Sequence, residues 1–452
     1  MESTSPNHLL ILLLLLFFLF FFHCKPTLSI SLLPKQALPT KSGYLPVTPT
    51  SDSAIFYLFY EAQKPTSPLS QTPLLIWLQG GPGCSSMIGN FLELGPWRVN
   101  FRKTPDQPLA LEPNPGSWNR IFGLLFLDNP IGTGFSIASK PEEIPRDQTH
   151  VARHLFAAIT AFIDSDPSFK SRPIYITGES YAGKYAPAIG YHILENPGRV
   201  NLTGVAIGNG LTDPAIQVAT HAANAYFSGL VNERQKVELE RLQSEAVALT
   251  EAGNWSAAVA ARGRVLQTLQ NVTGLATLYD FTRKAPYKDD LVEELLRNDD
   301  VKSALGAKRH VVFEVCSDLV DEVLHEDVMK SAKYMVERLV KESRVLLYQG
   351  HLDLRDGVVS TEAWVRTLKW EGIEGFLGAE REVWRVNGEL AGYVQRWGSL
   401  TNAVVLGAGH LVPTDQALNS QAMIEDWVLG KGLFGSAQKE NFTTNSLGPM
   451  SM

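Results

Sequence analysis

The sequence predicts an α/β fold: an open, mostly parallel sheet with helices on both faces. Two observations carry this. First, short all-apolar segments recur along the chain and stop at Gly, Asp or Asn: PLLIWLQ (73–79), FGLLFLDNP (122–130), PIYITG (173–178), GVAIGNG (204–210), RVLLYQG (344–350) and TNAVVLGAG (401–409). Strands apolar on both sides belong to sheets covered on both faces. Second, helical patterns lie between several of them, such as THVARHLFAAITAFIDS at 149–165, with Thr149 read as its cap. Strands alternating with helices build a parallel sheet through crossover connections.

The remaining segments fall into place around that frame. DSAIFYLFYEA (52–62) reads as a further strand near the start. Residues 214–310 interrupt the rhythm: ERQKVELERLQSEAVALTEA and SAAVAARGRVLQTLQ are charged, Ala-rich and helical, with no strong strand candidate. An insertion of that kind is expected to be a helical cap over the sheet's C-terminal edge, where open α/β sheets bind ligands. Residues 9–22, LLILLLLLFFLFFF, form an unbroken apolar run. As a helix it reaches only about 21 Å, short of a hydrocarbon core of about 30 Å, and it reads as a secretory signal ending near residue 25. The expected organisation is therefore a signal at 1–25, a core in two parts at 26–213 and 311–452, and the cap at 214–310. No membrane anchor is expected once the signal is removed.

The 452 residues are 44% apolar and 19% charged, with a net charge of −7 and no long Lys/Arg run. Nucleic acid is excluded as a partner, because phosphate binding needs concentrated positive charge. A secreted chain lives in an oxidising compartment. Cys24 lies at the edge of the signal, which leaves Cys84 and Cys316 either to pair or to stay as buried thiols. Acceptor sequons stand at Asn201, Asn254, Asn271 and Asn441 and are compatible with glycosylation. The expected location is the secretory pathway, ending outside the cell or in a vacuole or lysosome. No metal or cofactor motif is present in the sequence.

The chemistry is carried by four loops. PIYITGESYAGKYAP (173–187) runs from a strand through a tight turn into a helix and displays Ser180 at the bend, the layout of a nucleophile elbow. The glycine usual two places after the serine is displaced: Ala182 stands there and Gly183 follows. The loop GGPGCSS (80–86) places backbone amides close to a ligand, and Gly81 with Tyr181 would supply the two oxyanion donors. His410, in GAGHLVPTDQ (407–416), follows a strand end and would serve as base. The orienting acid lies in QGHLDLRDG (349–357), where the strand-end position favours Asp353 over Asp356 and His351. The order Ser, Asp, His along the chain is that of the α/β-hydrolase fold.

At these residues the chain resembles the serine carboxypeptidases. The resemblance runs in order through SGYLPV (42–47), FYLFYEA (56–62), WLQGGPGCSS (77–86), ELGPWRV (93–99), NPGSWN (114–119), LLFLDNPIGTGFS (124–136), GESYAGKYAP (178–187), IGNGLTDP (207–214), CSDLV (316–320), LLYQGHLDL (346–354) and GAGHLVPTDQ (407–416). It implies a serine-type carboxypeptidase that removes C-terminal residues from peptides or small proteins through an acyl-enzyme. The triad it implies is Ser180, Asp353 and His410, with oxyanion amides at Gly81 and Tyr181. It assigns recognition of the substrate carboxylate to Gln79, Gly80, Glu93 and Glu179, and a disulfide to Cys84–Cys316.

Acids can hold a negatively charged chain end only by sharing protons, and several carboxyls in one pocket raise at least one pKa. Peptide hydrolysis is therefore expected to favour acidic pH. Departures from the family pattern are Gln79 for the usual Asn, His351 for an acid, LDNPIG for LESPVG, and Leu411 for a methionine. Leu411 is expected to wall the site of the residue before the scissile bond. Plant relatives also include acyltransferases that use sugar esters, commonly with Asp before the nucleophile; Glu179 favours the peptidase. Oligomeric state is not legible.

Overall fold

The apolar segments form the interior of one sheet in the computed structural model, which describes residues 33–100 and 109–435. In chain order the strands are β1 (Lys41–Pro46), β2 (Ala54–Tyr60), β3 (Leu74–Leu78), β4 (Trp97–Val99), β5 (Leu111–Pro113), β6 (Gly123–Leu127), β7 (Ile174–Glu179), β8 (Leu202–Gly208), β9 (Arg344–Gly350), β10 (Arg381–Val386), β11 (Glu389–Trp397) and β12 (Leu400–Val405). Ten of them form a sheet ordered β1-β2-β6-β3-β7-β8-β9-β12-β11-β10, while β4 and β5 pair separately. The six central strands, β6 to β12 in that order, are mutually parallel; the two strands at each edge run antiparallel.

The alternation of side chains explains why the central strands are apolar throughout. Leu74, Ile76 and Leu78 of β3 enter one hydrophobic cluster with Leu125 and Leu127 of β6. Leu75 and Trp77 point to the other cluster with Leu124 and Phe126. Both faces are covered by helices. Gln148–Asp164, Ala182–Glu195 and Lys333–Glu342 pack on the first; Asp290–Arg297 and Ala417–Leu429 pack on the second. A mostly parallel α/β sheet is thus borne out, and every segment read as a strand is one.

Of the large sheet, the strands missed by the apolar pattern lie at the edges; the separate β4–β5 pair was missed too, each strand being only three residues long. β10 is mostly exposed and β11 mixes apolar with charged residues, so neither has the all-apolar signature of a strand buried on both faces. The first long helix also starts differently from expectation. Asp147, not Thr149, caps it, accepting a hydrogen bond from the His150 amide at 2.9 Å, and Gln148 is already helical.

Between β8 and β9 the described chain is helical. Glu233–Glu251 begins with a capping box formed by Asn232 and Gln235, and Trp255–Thr273 ends at Gly274 in the left-handed conformation. Leu242 and Ala246 of the first and Ala258, Ala261 and Val265 of the second join the cluster that contains Tyr181 and Leu211. This helical pair therefore sits against the end of the sheet that carries Ser180. Among the described residues no helix is long and apolar enough to cross a membrane. Residues 1–25, Cys24 and Asn441 lie outside the described residues.

Candidate active site

Ser180 follows β7 at the bend into the helix Ala182–Glu195, with φ of 60°. A non-glycine residue there carries backbone strain that its surroundings must over-determine. They do so with three hydrogen bonds: the Ser180 amide donates to Gly208 O (3.0 Å), and the Ser180 carbonyl accepts from Gly183 N (2.8 Å) and Leu211 N (2.9 Å). The displaced glycine has a steric cause. A Cβ on Gly183 would lie 2.6 Å from Leu211 N, whereas position 182 accommodates the buried methyl of Ala182. The small residue is required one place later than the simple motif expects.

The loop after β3 approaches this bend closely. A Cβ on Gly80 would stand 2.5 Å from Tyr181 N and 2.8 Å from the Ser180 Cβ. Gly81, at φ 110°, follows. The loop is tied to the segment around Cys316 by the Cys84–Cys316 disulfide, flanked by hydrogen bonds Ser85 N to Val315 O (2.8 Å) and Ser317 N to Gly83 O (2.9 Å).

His410 and Asp353 reach the same end of the sheet from the loops after β12 and β9. His410 Nδ1 lies 2.7 Å from Asp353 Oδ2, and the pair is buried. The other ring nitrogen, Nε2, is buried without a hydrogen-bond partner among the described residues, and His410 lines one cavity with Ser180. Further contacts fix the pair. Asp353 accepts from Asn209 Nδ2 (2.7 Å) and from Arg355 N (2.7 Å). The His410 amide donates to Tyr279 O at 2.7 Å, and the two rings lie 4.4 Å apart. Gly409 N donates to Asp415 Oδ2 at 2.8 Å, where Tyr287 OH also donates.

The structure separates the three acid candidates. Asp356 lies instead beside Arg262 at 3.7 Å, and His351 is exposed against the Phe281 ring. Asn209 was not singled out by sequence. Its signal is an Asn-Gly pair at a strand end, since Asn tolerates the left-handed φ of 41° found there.

The acids proposed for carboxylate recognition cluster behind Ser180. Gln79 Nε2 donates to Glu179 Oε1 at 2.7 Å, and its own oxygen accepts from Trp77 Nε1 at 2.8 Å. Glu93, on a wide helical turn at Gly89–Leu94, is wholly buried. Among the described residues, both its oxygens and Oε2 of Glu179 are buried with no donor assigned to them, and the two carboxyls interact with each other. Burial pushes the Glu93 carboxyl up to about 8, against smaller stabilisation from Glu179 and Gln79. Burial, then the charge of Glu93, raises Glu179 well above the usual carboxylate range. Two unsolvated carboxyls this close hold at least one proton at neutral pH.

Gln79, Gly80, Gly81, Glu179, Ser180 and His410 line a common cavity of about 220 Å³, and Glu93 lies behind its wall. Leu411 lines this cavity too. Asn201, Asn254 and Asn271 are exposed. No cluster of His, Cys, Asp and Glu among the described residues could hold a metal ion.

A sheet of this order, with a strained serine after β7 and a His–Asp pair from later strand ends, defines an α/β-hydrolase. The serine carboxypeptidase family model matches residues 33–430. "Serine carboxypeptidase-like 50" of Arabidopsis thaliana is 60% identical over 419 residues, covering 92% of this chain and 93% of that protein. "Probable serine carboxypeptidase CPVL" of Homo sapiens is 33% identical over 409 residues, covering 86% and 83%. Among solved structures, the Saccharomyces cerevisiae Kex1 prohormone-processing carboxypeptidase superposes with a TM-score of 0.77 at 26% identity, covering 87% of this chain and 92% of that one. The chain belongs to the serine carboxypeptidase family. It is a serine-type hydrolase that acts on the C-termini of peptides.

Proposed function

We propose that Ser180 is the nucleophile that attacks the last peptide bond of a substrate. His410 Nε2 takes the Ser180 proton and returns it to the departing amino group, while Asp353 fixes the ring and stabilises the imidazolium. The main-chain N–H groups of Gly81 and Tyr181 hold the oxyanion. The C-terminal amino acid leaves, and water then releases the acyl group from Ser180. The terminal carboxylate is held by Gln79, Gly80 and Glu179, with Glu93 behind.

The observation that carries this reading is the buried Glu93–Glu179–Gln79 cluster beside the serine. Protonated carboxyls donate hydrogen bonds to a carboxylate; ionised ones repel it. Peptide hydrolysis then holds through acidic and neutral pH and declines as pH rises through about 8, where Glu93 ionises. An ester lacking a terminal carboxylate does not need that proton.

The helices of 214–310 act as a cap on the site, between core parts 26–213 and 311–452. The disulfide and the exposed sequon asparagines Asn201, Asn254 and Asn271 support a protein of the secretory pathway, delivered outside the cell or to a vacuole or lysosome. Asn441 is a fourth acceptor.

The test incubates the mature protein and its Ser180→Ala variant with blocked dipeptides, the same peptides amidated at the C-terminus, and acyl-glucose esters with alcohol acceptors. Release of the last residue by wild type alone, weakened by amidation, supports the proposal. Acyl transfer without peptide cleavage overturns it.

A further inference from the structure

Ser180 faces two cavities. Beyond the one walled by Gln79 and Glu179 lies a second, of about 160 Å³, also bordered by Gly81 and Ser180. A scissile carbonyl held by the Gly81 and Tyr181 amides sits where the two meet. If the C-terminal residue occupies the first cavity, the residue that donates the acyl group projects its side chain into the second.

That second cavity contains a cation without an adequate partner. Arg262 is carried into it by the buried stripe of the helix Trp255–Thr273, between Ala258, Ala261 and Val265, and is only 7% exposed. Burial lowers its guanidinium to about 10, which leaves it charged. It makes no hydrogen bond to the described residues, and its nearest carboxylate oxygen is Asp356 Oδ1 at 3.7 Å. Asp356 is not Arg262's alone, because Arg355 Nε lies 3.8 Å from its other oxygen. Two guanidiniums thus share one carboxylate at longer than hydrogen-bond range. Arg355 also donates to Tyr279 OH at 3.1 Å, whereas the Arg262 donors open onto the cavity, where water or a ligand must supply acceptors.

Two more ionisable groups border the cavity, Asp321 and His325. Asp321 is exposed, so water screens its charge, whereas the field of buried Arg262 is screened far less. Around the cavity's inner wall two guanidiniums, of buried Arg262 and partly exposed Arg355, face one buried carboxylate, Asp356, which leaves an excess of positive charge.

We propose that this cavity accepts an acidic side chain, glutamate or aspartate, on the residue that donates the acyl group to Ser180, pairing it with Arg262 and Arg355. Arg guanidiniums suit carboxylates because their planar fork donates in parallel. Arg262 is thereby a specificity-determining residue, and the preferred substrates are peptides with an acidic penultimate residue. The inference rests on Ser180 acting as proposed above.

The experiment measures kcat/KM at pH 5.5 for blocked dipeptides that share one C-terminal residue and carry Glu, Gln, Leu or Lys before it. For wild type, Glu exceeds Gln by at least about tenfold and Lys is the poorest. In Arg262→Gln the Glu:Gln ratio falls to about one, and Arg262→Lys restores part of it. Arg355→Gln, at a less buried position, lowers the ratio without requiring a change in the core. A wild-type ratio near one, a preference for Lys, or a ratio unchanged in both Gln variants overturns the inference. Cleavage of the Leu peptide with no Glu preference removes this inference alone. Failure of wild type to cleave any dipeptide removes the proposed function with it.

Discussion

Replacing Glu93 by Gln tests the electrostatics of the acid cluster without touching the nucleophile. Glu93 is buried, and its carboxyl is pushed from an ordinary 4.5 up to about 8, with burial the largest cause. A carboxyl raised in the folded state contributes stability that is fully present below its unfolded pKa. That contribution is lost as pH rises from about 4.5 towards 8. The loss is on the order of 4 kcal/mol by pH 8, since each pKa unit is worth about 1.4 kcal/mol. Gln has the same shape and never ionises. Urea-unfolding free energies of wild type and Glu93→Gln should therefore lie close together at pH 4.5 and diverge by about 4 kcal/mol at pH 8, with the variant the more stable. Removing the Glu93 charge also relieves Glu179, whose raised pKa owes its second largest part to Glu93. A stability difference that does not change between pH 4.5 and 8 refutes the reasoning.

Other consequences follow from single contacts. Asp353→Asn leaves the shape intact but removes the charge that orients His410, and kcat should fall by about four orders of magnitude in a steady-state assay. Asn209→Ala frees one oxygen of Asp353 from a 2.7 Å hydrogen bond; kcat should drop about tenfold or more with KM little changed. Gly80→Ala drives a Cβ to 2.5 Å from Tyr181 N, so activity should collapse even where circular dichroism shows a folded protein. Cys84→Ser opens a link spanning 232 residues and should cost about 2–5 kcal/mol in chemical denaturation under non-reducing conditions.

The parts of this molecule legible in the sequence are those governed by local patterns. Strands β3, β6, β7, β8, β9 and β12 announced themselves because both faces are buried, which forces continuous apolar runs. Edge strands β10 and β11 did not, since solvent on their surfaces permits charged residues. Ser180 was legible from its turn, but the glycine beside it looked misplaced until Gly183 was seen pressed against Leu211. Asp353, Asp356 and His351 differ by only a few positions in one loop, and only the tertiary contact to His410 distinguishes them. Arg262 escaped notice for a different reason: a charged residue in an Ala-rich helix reads as a solvent face. Its spacing from Ala258, Val265 and Leu269 nevertheless puts it on the buried stripe.

The central claim is that a serine hydrolyses peptide ends whose carboxylate is read by acids that keep a proton. The most direct measurement is kcat/KM as a function of pH for one blocked dipeptide and for an ester without a free carboxylate. The peptide profile should hold below about pH 8 and fall as pH passes it, with the ester profile holding over the same range. A peptide profile that peaks above pH 8, or one that tracks the ester throughout, contradicts the claim.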